Sequence, residues 1–158
     1  MFYNSKHRIS IIFLIAILIF SCSEKPETLT EDFDEKKMEG AILEARSRFD
    51  EFLSRYKNPQ PGDDNFNVKV KIEGKNGTEH FWVGGLELDT EPYSGVIANE
   101  PGIVKNVRFG QRYSFSSEDV SDWMYMSNGK MEGNYTLRVA LEAMPPNEAE
   151  ALKKEIGW

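Results

Sequence analysis

An α+β domain, with a strongly bent antiparallel sheet between an N-terminal helix and C-terminal helices, is the fold this sequence predicts. Three observations carry the prediction. Apolar residues recur three or four apart from Met38 to Tyr56. Strict alternation follows from Phe66 to Glu73 and leads into Asn76-Gly77. Helical patterning returns after Asn134. Helix first, strands next and helices last is the order of an α+β domain.

The first helix is predicted over about Glu35 to Lys57. Met38, Ile42, Ala45, Phe49, Phe52, Leu53 and Tyr56 make one stripe at helical spacing. Asp32 with Glu35 resembles a capping box, and Asn58-Pro59 stops the helix. In the strand that follows, Phe66, Val68, Val70 and Ile72 alternate with Asn67, Lys69, Lys71 and Glu73. A type I′ turn centred on Asn76-Gly77 pairs Ile72 with Phe81 and Val70 with Val83, apolar with apolar twice. The same register sets Glu73 opposite His80 and Lys71 opposite Trp82 on the other face. Gly84-Gly85 reads as a bulge that shifts the phase to Leu86 and Leu88.

Further strands are predicted at about Ser94–Ala98, Ile103–Val107, Gln111–Phe115 and Val120–Met126, punctuated by Pro101-Gly102, Gly110 and Asn128-Gly129. Asn134 is placed to cap a helix from Tyr135 to Met144. Pro145-Pro146 interrupts, and Asn147 is placed to cap a last helix from Glu148 to Ile156.

The N-terminus carries an address. Lys6, His7 and Arg8 precede an unbroken apolar run from Ile11 to Phe20. A bilayer-spanning helix needs about 20 apolar residues, and this run is roughly half that. A basic start, a short apolar run and a small residue at Ser21 describe a signal peptide over residues 1–21. Ile19-Phe20-Ser21-Cys22 resembles a bacterial lipobox, in which the cysteine takes a diacylglycerol and becomes the new N-terminus. Two or three acyl chains, each buried methylene contributing ~0.8 kcal/mol, hold a protein on a membrane. The acidic stretch 22–34, with Pro26, reads as a tether, and 35–158 as a single domain.

Composition narrows the functions. Acids outnumber Lys and Arg 26 to 19, a formal charge of −7. Residues 1–21 hold Lys6 and Arg8 but no acid, so their removal leaves 17 bases against 26 acids and takes the charge to −9. Neutralising a phosphate backbone needs a basic face, so nucleic acid is not an expected partner. The lone cysteine forms no internal disulfide, and its place in the lipobox accounts for it.

Four segments carry a family likeness. Glu79-His80-Phe81-Trp82-Val83, then Gly95-Val96-Ile97-Ala98-Asn99-Glu100-Pro101, then Val120-Ser121-Asp122-Trp123-Met124-Tyr125, then Gly133-Asn134-Tyr135-Thr136-Leu137-Arg138 resemble the YegJ-like family, a bacterial family catalogued as domain of unknown function 2314. The resemblance covers roughly Met38 to Met144. It implies a small bacterial domain, sometimes a lipoprotein, and brings no activity, cofactor or catalytic residue.

The residues themselves argue against the common catalytic sets. After signal removal His80 is the only histidine and Cys22 is blocked by lipid. No G-x-S-x-G elbow or phosphate-cradling glycine loop occurs. One histidine with carboxylates makes poor zinc chemistry, so no metal or cofactor is expected. Asp63-Asp64 and Glu118-Asp119 lack a calcium-loop pattern and read as turn and cap residues. A non-enzymatic binding module tethered to the cell envelope, with an envelope protein as a possible partner, is therefore the leading expectation. An inhibitor or immunity-like protein that blocks one envelope partner is the alternative, and a carboxylate-based glycan hydrolase a third. The candidate binding patch is His80, Trp82, Lys71 and Glu73, with Trp123 and Tyr125 added on the grounds that i and i+2 share a strand face. Lys71 is placed for a cation–π contact with Trp82. Against this stands a plainer reading in which a helix covers the face and Trp82 is core. Asp122 and Arg138 form an expected structural ion pair.

Overall fold

The computed structural model describes residues 35–158. The signal peptide, Cys22, the tether and Asp32 of the proposed capping box lie outside them. Eleven elements follow in order: α1 (Glu35–Ser47), α2 (Phe49–Lys57), β1 (Asp63–Gly74), β2 (Gly77–Glu87), β3 (Tyr93–Ile97), β4 (Arg112–Phe115), a 3-10 turn (Ser117–Asp119), β5 (Val120–Ser127), β6 (Lys130–Gly133), α3 (Tyr135–Ala143) and α4 (Pro146–Glu155). The strands form one open antiparallel sheet in the order β4-β3-β2-β1-β5-β6. The α+β class holds. Among the described residues no helix is long and apolar enough to cross a membrane.

One face of the sheet is the core. Val68, Val70, Ile72, Phe81 and Val83 are buried there with Trp123, beneath Ala45, Phe49 and Phe52 of the first two helices. The Trp123 indole donates to the Ala45 carbonyl at 2.8 Å, and its ring centroid lies 5.4 Å from that of Phe52. The predicted single helix is broken in two at Arg48. Ser47 Oγ bonds back to the Glu44 carbonyl at 2.8 Å, and Arg48 leaves helical geometry with ψ near 10°. A serine that competes for the helix carbonyls weakens the ladder at this point. On either side of the break both helices reach the core, α1 through Ala41 and Ala45 and α2 through Phe49 and Phe52.

The hairpin register differs from the expectation by one step of the turn. Gly74 pairs with Gly77, Val70 with Phe81 and Val68 with Val83, so the two loop residues are Lys75 and Asn76. Neither has positive φ, which excludes type I′; the left-handed conformation falls instead on Gly77, φ +138. Glycine is favoured at the fourth position of an ordinary turn. Moving the turn centre by one residue shifts each pairing by two, so every side chain keeps its face while its partner changes. Ile72 now opposes Glu79, Lys71 opposes His80, and Lys69 opposes Trp82. The Gly84-Gly85 irregularity is present, and burial passes from Phe81 and Val83 to Leu86 and Leu88.

Two other expectations are corrected, and one strand is added. Ile103–Val107 is not a strand. It is a loop pinned by the Glu79 carboxylate, which accepts the backbone N–H groups of Gly102, Ile103 and Val104, with Val104 and Val107 buried beneath it. Lys130–Gly133 is a strand, too short to show alternation. Finally, α4 begins at Pro146 rather than Glu148, because proline without an N–H is at home in a helix's first turn.

Candidate functional site

The two faces of β1 and β5 differ in what they carry. Between Lys69 and Val70 the β1–β5 register slips: Lys69 opposes Asp122, and Val70 opposes Val120. Ser121 is the extra residue, and the slip lets two successive buried side chains, Ser121 and Asp122, meet groups of the non-core face. Ser121 Oγ lies 2.7 Å from His80 Nδ1 and 3.2 Å from the Lys69 carbonyl. The hydroxyl has one proton and the carbonyl can only accept. The consistent assignment puts the proton of the shorter contact on Nδ1 and leaves Nε2 as an acceptor.

Asp122, with no exposed surface, does not pair with Arg138 as the sequence suggested. Its Oδ1 accepts the N–H groups of Trp123 at 2.9 Å and Tyr135 at 3.1 Å. Its Oδ2 accepts the Thr136 N–H at 2.8 Å and hydroxyl at 2.6 Å. A carboxylate from β5 thus caps α3, where negative charge is favoured. Asn134, the expected cap, is left-handed at φ 51 and makes no side-chain cap bond. Its Oδ1 is the buried side-chain polar atom without a partner among the described residues. Arg138 instead bonds the Gly133 carbonyl and stacks over the Trp158 ring at 4.1 Å.

Lys69 lies at the centre of this face. Its Nζ donates to Thr136 Oγ1 at 2.7 Å and sits 4.7 Å from the centroid of the Trp82 ring. The cation–π partner of Trp82 is therefore Lys69, not Lys71. Burial pushes the Lys69 ammonium below the ordinary lysine value, and Asp122 acts in the opposite sense. His80 is also held below its usual value, first by burial and then by the charges of Lys69 and Lys71, although much of the residue remains exposed.

Above these groups is a cavity of about 570 Å³, within the size range of small-ligand sites. Lys69, His80, Trp82, Asn134 and Thr136 supply its polar and aromatic lining. The rest is aliphatic: Met38 and Ile42 from α1, Leu137 and Ala140 from α3, and Leu152 from α4. Helices do cover this face, but they leave a hollow, and Trp82 forms part of its wall while staying half-buried.

Of the six residues proposed as a patch, the structure brings together two. Lys71 and Glu73 share the face but are exposed, outside the cavity, and paired with each other at 2.8 Å. Trp123 and Tyr125 lie on the opposite face, because Trp123 opposes core Val68. They border a separate cleft of about 350 Å³ with Glu44, Arg48, Glu51 and Tyr135. This cleft does gather carboxylates, as a glycan hydrolase would need, but Arg48 holds the Glu51 carboxyl below its usual value. A general acid needs the reverse. Lys69 and Thr136 were not singled out from sequence. Correct placement of the turn on Lys75-Asn76 would have put Lys69 beside Trp82.

No group of three or more His, Cys, Asp or Glu side chains able to hold a metal occurs among the described residues. The family described as "Uncharacterized protein conserved in bacteria (DUF2314)" matches residues 35–158. The chain is 36% identical over 150 residues to "Uncharacterized protein YegJ" of Escherichia coli (strain K12), covering 92% of this chain and 97% of that protein. It is 33% identical over 95 residues to a putative ankyrin repeat protein of Neisseria meningitidis serogroup B, covering 58% of this chain but only 37% of that protein. No solved structure matches.

Proposed function

The chain belongs to the DUF2314 family of uncharacterised bacterial proteins, and from that premise we propose that it is a lipid-anchored, non-enzymatic binding module of the cell envelope. Its ligand site is the cavity over Lys69, His80 and Trp82. The observation that carries the reading is that hollow: apolar walls converge on a half-buried lysine and an imidazole, the pattern of a pocket that orients a ligand by few polar groups. Ser121 serves the site by fixing the His80 ring. Its buried hydroxyl is not among the groups lining the cavity. The anchor rests on the sequence Ile19-Phe20-Ser21-Cys22.

Two measurements test the two halves. Metabolic labelling with an alkynyl fatty acid is expected to mark the wild type and to be lost in Cys22→Ser, which then leaves the membrane fraction or accumulates as precursor. Label that persists in Cys22→Ser would sink the anchor. Trp82→Ala removes a half-buried ring, so it is expected to cost about 1–2 kcal/mol, below the ~3–5 kcal/mol of a fully buried tryptophan. Small molecules recovered with the wild-type protein from native membranes should be depleted with this variant. Equal recovery, or a protein recovered in their place and unaffected by the mutation, would count against a pocket ligand.

A further inference from the structure

We infer that the ligand of this cavity is an amphiphilic carboxylic acid, its carboxylate held by Lys69 and its hydrocarbon body lying among Met38, Ile42, Leu137 and Leu152. The inference rests on the binding-module reading and names the chemistry of the ligand. Charge complementarity carries it. Every residue lining the cavity is apolar, neutral or cationic, and no carboxylate is among them. The Lys69 ammonium has three hydrogens, and one goes to Thr136. Two remain, with the face of the Trp82 ring beside them. The nearby carboxylate, Asp122, attracts Lys69 across the strands but makes no direct bond to it: its oxygens accept from Trp123 and from Tyr135 and Thr136 at the start of α3. A half-buried ammonium without a directly bound carboxylate is partly desolvated without full compensation. A ligand that brings one gains a charge-assisted hydrogen bond beside apolar walls.

The count of charges selects a monoanion. One lysine faces the cavity, and His80 is held toward its neutral form with Nε2 as an acceptor. A phosphate monoester would bring close to two negative charges to a site with one cation. A carboxylate brings one, which matches the single ammonium. The body is selected by the walls. Five apolar side chains from three helices meet there, and a hydrocarbon chain laid against them is removed from water.

The experiment uses the full chain in native membranes. A fatty acid bearing an alkyl diazirine is photolysed there, in parallel with the alcohol and the amine of identical chain, and adducts are mapped by mass spectrometry. The acid should label cavity residues about tenfold more than the alcohol, as expected for one charge-assisted bond, and the amine least. Untagged acid should compete. Lys69→Met, which keeps the length of the side chain, should reduce acid labelling to the level of the alcohol. Ala140→Phe, which fills the hollow, should abolish labelling by all three. Equal labelling by acid, alcohol and amine would overturn the carboxylate while leaving a pocket ligand standing. Absence of cavity adducts from every probe would overturn both. The wild-type comparison decides the matter even if Lys69→Met fails to fold.

Discussion

Replacing Asp122 with alanine is expected to destabilise the domain by about 3–5 kcal/mol, a large share of the ~5–15 kcal/mol that holds a domain together. The side chain has no solvent contact and accepts from three backbone N–H groups and one hydroxyl. Truncation leaves those donors buried, and each unsatisfied donor costs roughly 1–3 kcal/mol before water or relaxation recovers part of it. Two of the N–H groups belong to the first turn of α3, so the helix loses this side-chain cap along with the negative charge at its positive end. Thr136 would lose its acceptor and Lys69 its nearest counter-charge, so the cavity should loosen with the helix. Urea denaturation followed by circular dichroism measures the loss. Asp122→Asn, which keeps one acceptor oxygen but turns an NH2 toward donors, should recover only part of it. A loss under about 1 kcal/mol for the alanine variant would mean that the cap is dispensable.

Asp122 also shows where sequence reasoning reaches its limit. From the sequence it reads as one half of a structural ion pair. The choice of Arg138 followed from charge alone. Burial decided otherwise: a helix start presents several donors already in place, whereas a guanidinium would have to be desolvated as well. The hairpin teaches a related lesson. Alternation from Phe66 to Glu73 assigns faces correctly under either turn, because registers two residues apart preserve parity. It does not assign neighbours. That required the turn conformation, and Asn76-Gly77 is compatible with more than one. The cavity was not legible at all. Its walls come from α1, α3 and α4, and the relative placement of helices depends on the break at Arg48 and on the β5 slip at Ser121, neither of which has a strong local signature. The α+β class was legible because it depends only on the order of the periodicities.

Gly133→Ala is expected to be as damaging as the loss of Asp122, about 3–5 kcal/mol, and for a wholly different reason. Gly133 ends β6 with φ +77, a conformation that costs an L-residue roughly 1–2 kcal/mol. A Cβ there would lie 2.5 and 2.6 Å from two ring carbons of Trp123 and closer still to the Trp123 carbonyl. That carbonyl accepts the Asn134 N–H at 2.8 Å, so it is fixed by the same turn that would have to yield. The ring is no freer: its indole N–H is bound to the Ala45 carbonyl, and its neighbours are Phe52 and Tyr135. Overpacking of this kind costs typically ~1–3 kcal/mol beyond the backbone strain. Gly110→Ala separates the two contributions, since Gly110 has a similar φ of +74 but nothing within 4 Å of an added Cβ. It should show the backbone cost alone, ~1–2 kcal/mol. Melting curves of the two variants give the difference, and hydrogen exchange of the Trp123 indole reports whether the ring has left Ala45. Equal losses at the two glycines would show that Trp123 moves aside without penalty, and that the packing of β6 against the core is looser than its geometry indicates.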